Sequence, residues 1–113
     1  MPIVTAEDGN LLTLFVDGAI DSGLGGELQK ATAQAATSGK RRVLVNLQKA
    51  KQANSAGLEA LVRAAATVTA GGGRFALVGP TPVLADVLKA TRLDKRFAVF
   101  ESTEQAITGL RRL

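Results

Sequence analysis

Val43-Leu44-Val45-Asn46-Leu47, then Gln48-Lys49-Ala50-Lys51-Gln52-Ala53, then Asn54-Ser55-Ala56-Gly57-Leu58 is the stretch on which the reading of this chain turns. Its first five residues are apolar enough for a central strand covered on both faces or nearly so. The apolar character stops at Gln48, so the strand is expected to end at Leu47 and to give way to a polar connection. From Leu58 onward, Leu58, Leu61, Val62, Ala65 and Val68 keep helical spacing until Gly71-Gly72-Gly73. Asn54–Leu58 therefore opens a helix after a strand, and sites in α/β sheets gather where strands hand over to helices.

Upstream, Ile3-Val4-Thr5 and Leu11–Val16 flank the turn signal Asp8-Gly9-Asn10, which predicts a hairpin. Asp17-Gly18 is expected to break the second strand. Asp21-Ser22 then offers capping oxygens to a helix whose face is Leu24, Leu28, Ala31 and Ala35, with Gly23, Gly25 and Gly26 weakening its first turn. Downstream, Arg74–Val78 reads as a strand, and Thr81-Pro82 starts a helix with the stripe Leu84, Val87, Leu88 and Thr91. Phe97–Phe100 is a last short strand. Ser102-Thr103-Glu104-Gln105 has the capping-box pattern before Ala106, Ile107 and Leu110. The order predicts one α/β domain over residues 1–113, a mixed, mostly parallel sheet of about five strands with about four helices.

Composition narrows the chemistry. With 113 residues, 46% of them hydrophobic, the chain can build one core, and with four Phe and no Trp or Tyr that core must be aliphatic. No Cys and no His are present. Disulfides, thiolate metal sites, a Cys nucleophile and a Ser-His-Asp triad are thereby excluded, and neither an enzyme nor a cofactor is expected. No run is long and apolar enough for a membrane span, and no secretory signal is visible, so a cytoplasmic location is expected. The net charge of +4 includes Lys40, Arg41, Arg42, Lys49 and Lys51, with no acid between Glu27 and Glu59. That run predicts one positive surface. Without stacking aromatics or a reading helix, nucleic acid is not the expected partner.

The glycine-rich segments miss dinucleotide and phosphate-loop spacings, and Asp17, Asp21 and Asp86 form no convergent acid pair. What remains is the Asn54–Leu58 stretch, with Asp21 in the earlier loop. A hydroxyl at a helix start, as at Ser55, commonly caps the helix; exposed, it can accept a phosphoryl group whose charge meets the helix dipole.

At these residues the chain resembles the STAS domain family of bacterial anti-sigma factor antagonists. Val16-Asp17-Gly18-Ala19-Ile20-Asp21 resembles the family's hydrophobic-x-Gly-x-Leu-Asp segment, and Val43–Leu47 its Val-Val-Leu-Asp-Leu strand. Asn54-Ser55-Ala56-Gly57-Leu58 stands in the place of Asp-Ser-Ser-Gly-Leu, while Leu93, Phe97-Ala98-Val99 and Ser102–Ile107 fit the last strand and helix. The resemblance implies a protein partner, an anti-sigma factor that is also a serine kinase, docking through Asn54–Leu58 and the following helix, with Asp21, Lys49 and Lys51 alongside.

The family's phosphoacceptor directly precedes the glycine, and here that position is Ala56, which carries no oxygen. Ser55 is one residue earlier, about 100° around a helix. The family aspartates at the strand end and motif start are Asn46 and Asn54, which keep the shape and drop the charge. The expectation is a STAS fold without the usual switch. Two other classes fit the same residues: an accessory subunit docking on the ATPase of an ABC transporter, and a small-ligand sensor using the strand ends as a pocket.

Overall fold

A computed structural model of the chain describes residues 3–39 and 41–112, the side chains of residues 111 and 112 excepted. Five strands and four helices follow in the order β1 (Ile3–Asp8), β2 (Leu11–Ile20), α1 (Ser22–Thr37), β3 (Arg42–Ala53), α2 (Ser55–Ala70), β4 (Arg74–Val78), α3 (Pro82–Ala90), β5 (Ala98–Phe100) and α4 (Thr103–Arg112), with a 3-10 turn at Leu93–Lys95 before β5. The sheet order is β1-β2-β3-β4-β5; β1 is antiparallel to β2 and the other pairs are parallel. The mixed, mostly parallel α/β architecture expected from the sequence is the one observed.

A strand order that only advances, joined by crossovers of one hand, lays successive helices on one face of the sheet. Leu24 and Leu28 of α1, Leu61 and Val68 of α2, and Leu84 and Leu88 of α3 accordingly share one core with Leu12, Leu14, Val43, Val45, Phe75 and Leu77. The opposite face holds a smaller cluster, Leu44, Ala76 and Val78 against Ala106 and Leu110 of α4. Sandwiched between these two layers, Val43, Leu44 and Val45 are fully buried, which is why β3 reads as an unbroken apolar run.

Two strands outrun their expected ends. β2 continues through Asp17-Gly18 to Ile20, and β3 through the polar Gln48–Ala53 segment. Between them the register slips twice, from Phe15↔Asn46 to Asp17↔Lys49 and from Gly18↔Ala50 to Ala19↔Gln52. Each slip leaves one extra residue on β3, a β-bulge that breaks the period-2 pattern without ending the pairing. Gly18 takes the positive φ of 90° at the second slip. Buried Asn46 supports the first, its Oδ1 accepting the Gln48 N–H at 3.0 Å.

The predicted positive surface also changes. Arg41 and Arg42 flank the start of β3, and Arg42 is held by Asn10 Oδ1 at 2.8 Å, whereas Lys49 and Lys51 sit near its far end. At about 3.3 Å per residue, Arg42 and Lys49 lie roughly 20 Å apart, so these cations do not form one patch. Lys40 lies outside the described residues.

Candidate functional site

Two helix starts are brought side by side at the carboxyl ends of β2 and β3. Ile20 and Ala53 are register partners, and the Asn54 N–H donates to the Ile20 carbonyl at 3.1 Å, so both strands end at one level. Asp21 then caps α1, Oδ1 accepting from Leu24 N at 3.0 Å, and Asn54 caps α2, Oδ1 accepting from Gly57 N at 2.8 Å. The cap of α2 is thus Asn54. Ser55, for which capping was one expected role, is instead the first helical residue, with its side chain exposed.

Gly57 holds the junction tight. A Cβ built on it would lie 1.9 Å from the Ile20 carbonyl oxygen, inside any tolerable contact. The first turn of α2 therefore rides directly on the end of β2. Further along the two helices, a Cβ on Gly25 would meet the Ala60 methyl at 2.5 Å, and Gln29 Nε2 donates to the Ala60 carbonyl at 3.3 Å. Small residues let α1 and α2 approach closely behind the site.

Of the residues singled out from the sequence, Asn54–Leu58 and Asp21 come together at this end. Ser55 and Ala56 are exposed, Gly57 is buried and Leu58 is half-buried. Ser55 and Leu58 form one wall of an open groove of about 490 Å³, completed by Glu59, Val62 and Arg63 of α2 and by Thr91, Leu93 and Arg96 at and beyond the end of α3. Ala56 is not among the groove's lining residues. The Leu93/Arg96 wall was not anticipated; its sequence signal is only a lone Leu after Thr91-Arg92, where Arg92 turns the chain with a φ of 62°. Lys51 is exposed on β3, and Lys49 lies on the sheet face opposite α1–α3, where it borders a second hollow of about 600 Å³ with Val4, Phe15, Asn46 and Gln48. Lys49 therefore sits on a strand around the sheet from the Ser55 groove, rather than in the loop beside it.

Charge chemistry is sparse here. Glu59 and Arg63 approach to 3.7 Å across one turn of α2, both well exposed, an arrangement that contributes little to stability. Among the described residues no group of three His, Cys, Asp or Glu side chains could hold a metal. No described helix is long and apolar enough to cross a membrane.

Paired capped helix starts, an exposed first turn of α2 and an open groove of mixed apolar and charged lining thus stand together at one end of a small α/β domain. Residues 2–106 match the STAS domain family, and the chain belongs to it. No curated protein sequence matches. Among solved structures, a candidate anti-sigma factor antagonist from Thermotoga maritima superposes with a TM-score of 0.87 at 19% identity, over 96% of this chain and 94% of that one. The unphosphorylated anti-sigma factor antagonist SpoIIAA gives 0.74 at 17% identity over 98% and 99%. A sulfate transporter family protein from Wolinella succinogenes gives 0.80 at 14% over 94% and 88%. At these identities the likeness is one of fold.

Proposed function

We propose that this STAS domain docks a protein partner through the Asn54–Leu58 turn and the first turns of α2, and that docking is not released by phosphorylation at position 56. The observation that carries the reading is the exposed Ser55-Ala56 pair at a capped helix start, with no hydroxyl at position 56 and beside it a groove in which Leu58, Val62 and Leu93 alternate with Glu59, Arg63 and Arg96. An anti-sigma factor is the partner class this reading favours, because anti-sigma factor antagonists are among the fold's neighbours, and serine kinase activity in that partner is what the family resemblance implies. The domain would then act as a constitutive antagonist or scaffold. Ser55, Leu58 and the Leu93/Arg96 wall would form the contact, with Lys51 and Asp21 at its margin. Lys49 would touch only a partner that wraps around the end of the sheet.

The test pairs binding with mass. Titration of the chain with candidate kinase-type anti-sigma factors is expected to give the same affinity with and without ATP. Intact mass after incubation is expected to stay unchanged, whereas Ala56→Ser gains one phosphoryl group. A stoichiometric phosphoryl adduct mapped to Ser55 in the unaltered chain would overturn the reading. The sulfate transporter family neighbour supports a second reading at the coarser level of a transporter-associated domain; of that class, an accessory subunit docking on the ATPase of an ABC transporter is the form to test, by co-purification with an ATPase in place of a kinase.

A further inference from the structure

The two edges of the sheet are unlike. β5 is three residues long, which protects an edge by brevity. β1 is six residues long, pairs with β2 over its whole length without a register slip, and carries Ile, Val and Thr but no Lys or Pro. Among the described residues it bonds to β2 alone, so its outer row of backbone N–H and C=O groups is a template for another strand. Beside that row the sheet shows apolar surface. Val4 and Phe15 are register partners on the face that α4 leaves open at this end, and they are 60% and 41% exposed.

We infer that β1 is a self-pairing edge: two copies of this chain join β1 to β1 in antiparallel fashion about a two-fold axis perpendicular to the sheet. Charge selects that direction. Glu7 and Asp8 both lie at one end of β1, so parallel pairing would stack four carboxylates, whereas antiparallel pairing carries each pair to an opposite end.

The two-fold also restricts register, because it keeps each face of the sheet on the same side and so sets even-numbered residues opposite even-numbered ones. Among the registers that overlap most of β1, one sets Val4 opposite the partner's Asp8 and Thr5 opposite the partner's Glu7, which draws all four carboxylates into the ladder and holds the two Val4 side chains apart. The other sets Thr5 at the axis opposite the partner's Thr5, Val4 opposite Ala6 and Ile3 opposite Glu7. In the second the two Val4–Phe15 pairs meet diagonally across the axis at about 7–8 Å and form one apolar patch. That is the register we assign.

Strand pairing alone buries less than the roughly 1,200 Å² of a stable interface, so the dimer is concentration-dependent. One consequence rests on the docking reading above: the two Asn54 turns fall at opposite ends of the joined sheet, leaving both free for partners. The pairing itself stands apart from that reading, and its test uses no partner.

The chain contains no cysteine, so a single introduced thiol reports on one contact. Sedimentation equilibrium from about 10 µM to about 1 mM is expected to show the average mass rising toward twice that of the chain. Thr5→Cys is expected to form a disulfide dimer on mild oxidation, and Glu7→Cys, set far from its own copy, is not. Thr5→Lys and Thr5→Glu each put like charges at the axis and are expected to lower association at least tenfold, while an equimolar mixture of the two restores it. A chain monomeric at the highest concentration, equal cross-linking by the two Cys variants, or association unchanged in Thr5→Lys would each overturn the inference.

Discussion

Gly57 sets two local effects against each other. Alanine is favoured over glycine within a helix by about 1 kcal/mol, so helix propensity alone predicts that Gly57→Ala stabilises. The Ile20 carbonyl 1.9 Å from the added Cβ predicts the opposite, since backbone cannot swing aside as a side chain can. Overpacking of this kind costs about 1–3 kcal/mol or more and should dominate. Gly57→Ala is expected to lower the melting temperature by several degrees, measured by calorimetry; an unchanged or higher value would mean that α2 can lift off β2. At Asn54, removing the cap in Asn54→Ala is expected to cost about 1 kcal/mol in urea unfolding. Asn54→Asp keeps the acceptor and adds a charge at the positive end of α2, so it should match or exceed the parent by about 0.3–1 kcal/mol. Asn54 and Ser55 are both good capping residues, and their order does not choose between them. The choice is made by the tertiary contact at Gly57, which places the helix start against Ile20 and so puts Gly57 N three residues after the cap.

At the scale of elements, glycines that look equivalent in sequence do different work. Gly25 and Gly26 both read as weak points in the first turns of α1, yet a Cβ on Gly25 meets Ala60 at 2.5 Å while one on Gly26 meets nothing within 4 Å. Gly26→Ala is therefore expected to stabilise by about 0.5–1 kcal/mol through the unfolded chain and helix propensity. Gly25→Ala should destabilise by about 1–3 kcal/mol by prising α1 from α2. Urea unfolding of the two variants side by side checks both, and equal effects would refute the seam. The strands show where pattern reading stops. Val43–Leu47 was legible because burial on both faces leaves an apolar run, and α3 because Thr81-Pro82 marks its start with Thr81 Oγ1 accepting from Leu84 N. Gln48–Ala53 was not legible. Two bulges turn Gln48, Lys49, Lys51 and Gln52 to solvent and return only Ala50 to full burial, so the segment carries no period of two although it stays paired.

The whole molecule is layered unevenly. Three helices share one large core on one face, while α4 alone covers Leu44, Ala76 and Val78 on the other. The α4 layer was foreshadowed by its capping signal. Ser102 Oγ accepts from Gln105 N at 3.2 Å, and the Gln105 side chain reaches back to Glu101 N at 3.3 Å. Which face it would cover was not foreshadowed, because nothing in Ala106, Ile107 and Leu110 distinguishes the two sides of a sheet. A helix held by so few apolar groups, chiefly Ala106 and Leu110, with the Phe100 ring filling the space beside Gly109, should open before the rest. Native-state hydrogen exchange is expected to show α4 amides opening at a lower free energy than those of α2. Leu110→Ala removes a side chain that is only 3% exposed and should cost about 2–3 kcal/mol. If α4 opens on its own, that loss accelerates exchange in α4 and leaves α1, α2 and the central strands nearly unchanged. Uniform acceleration throughout the chain would instead mean that both faces of the sheet unfold as one unit.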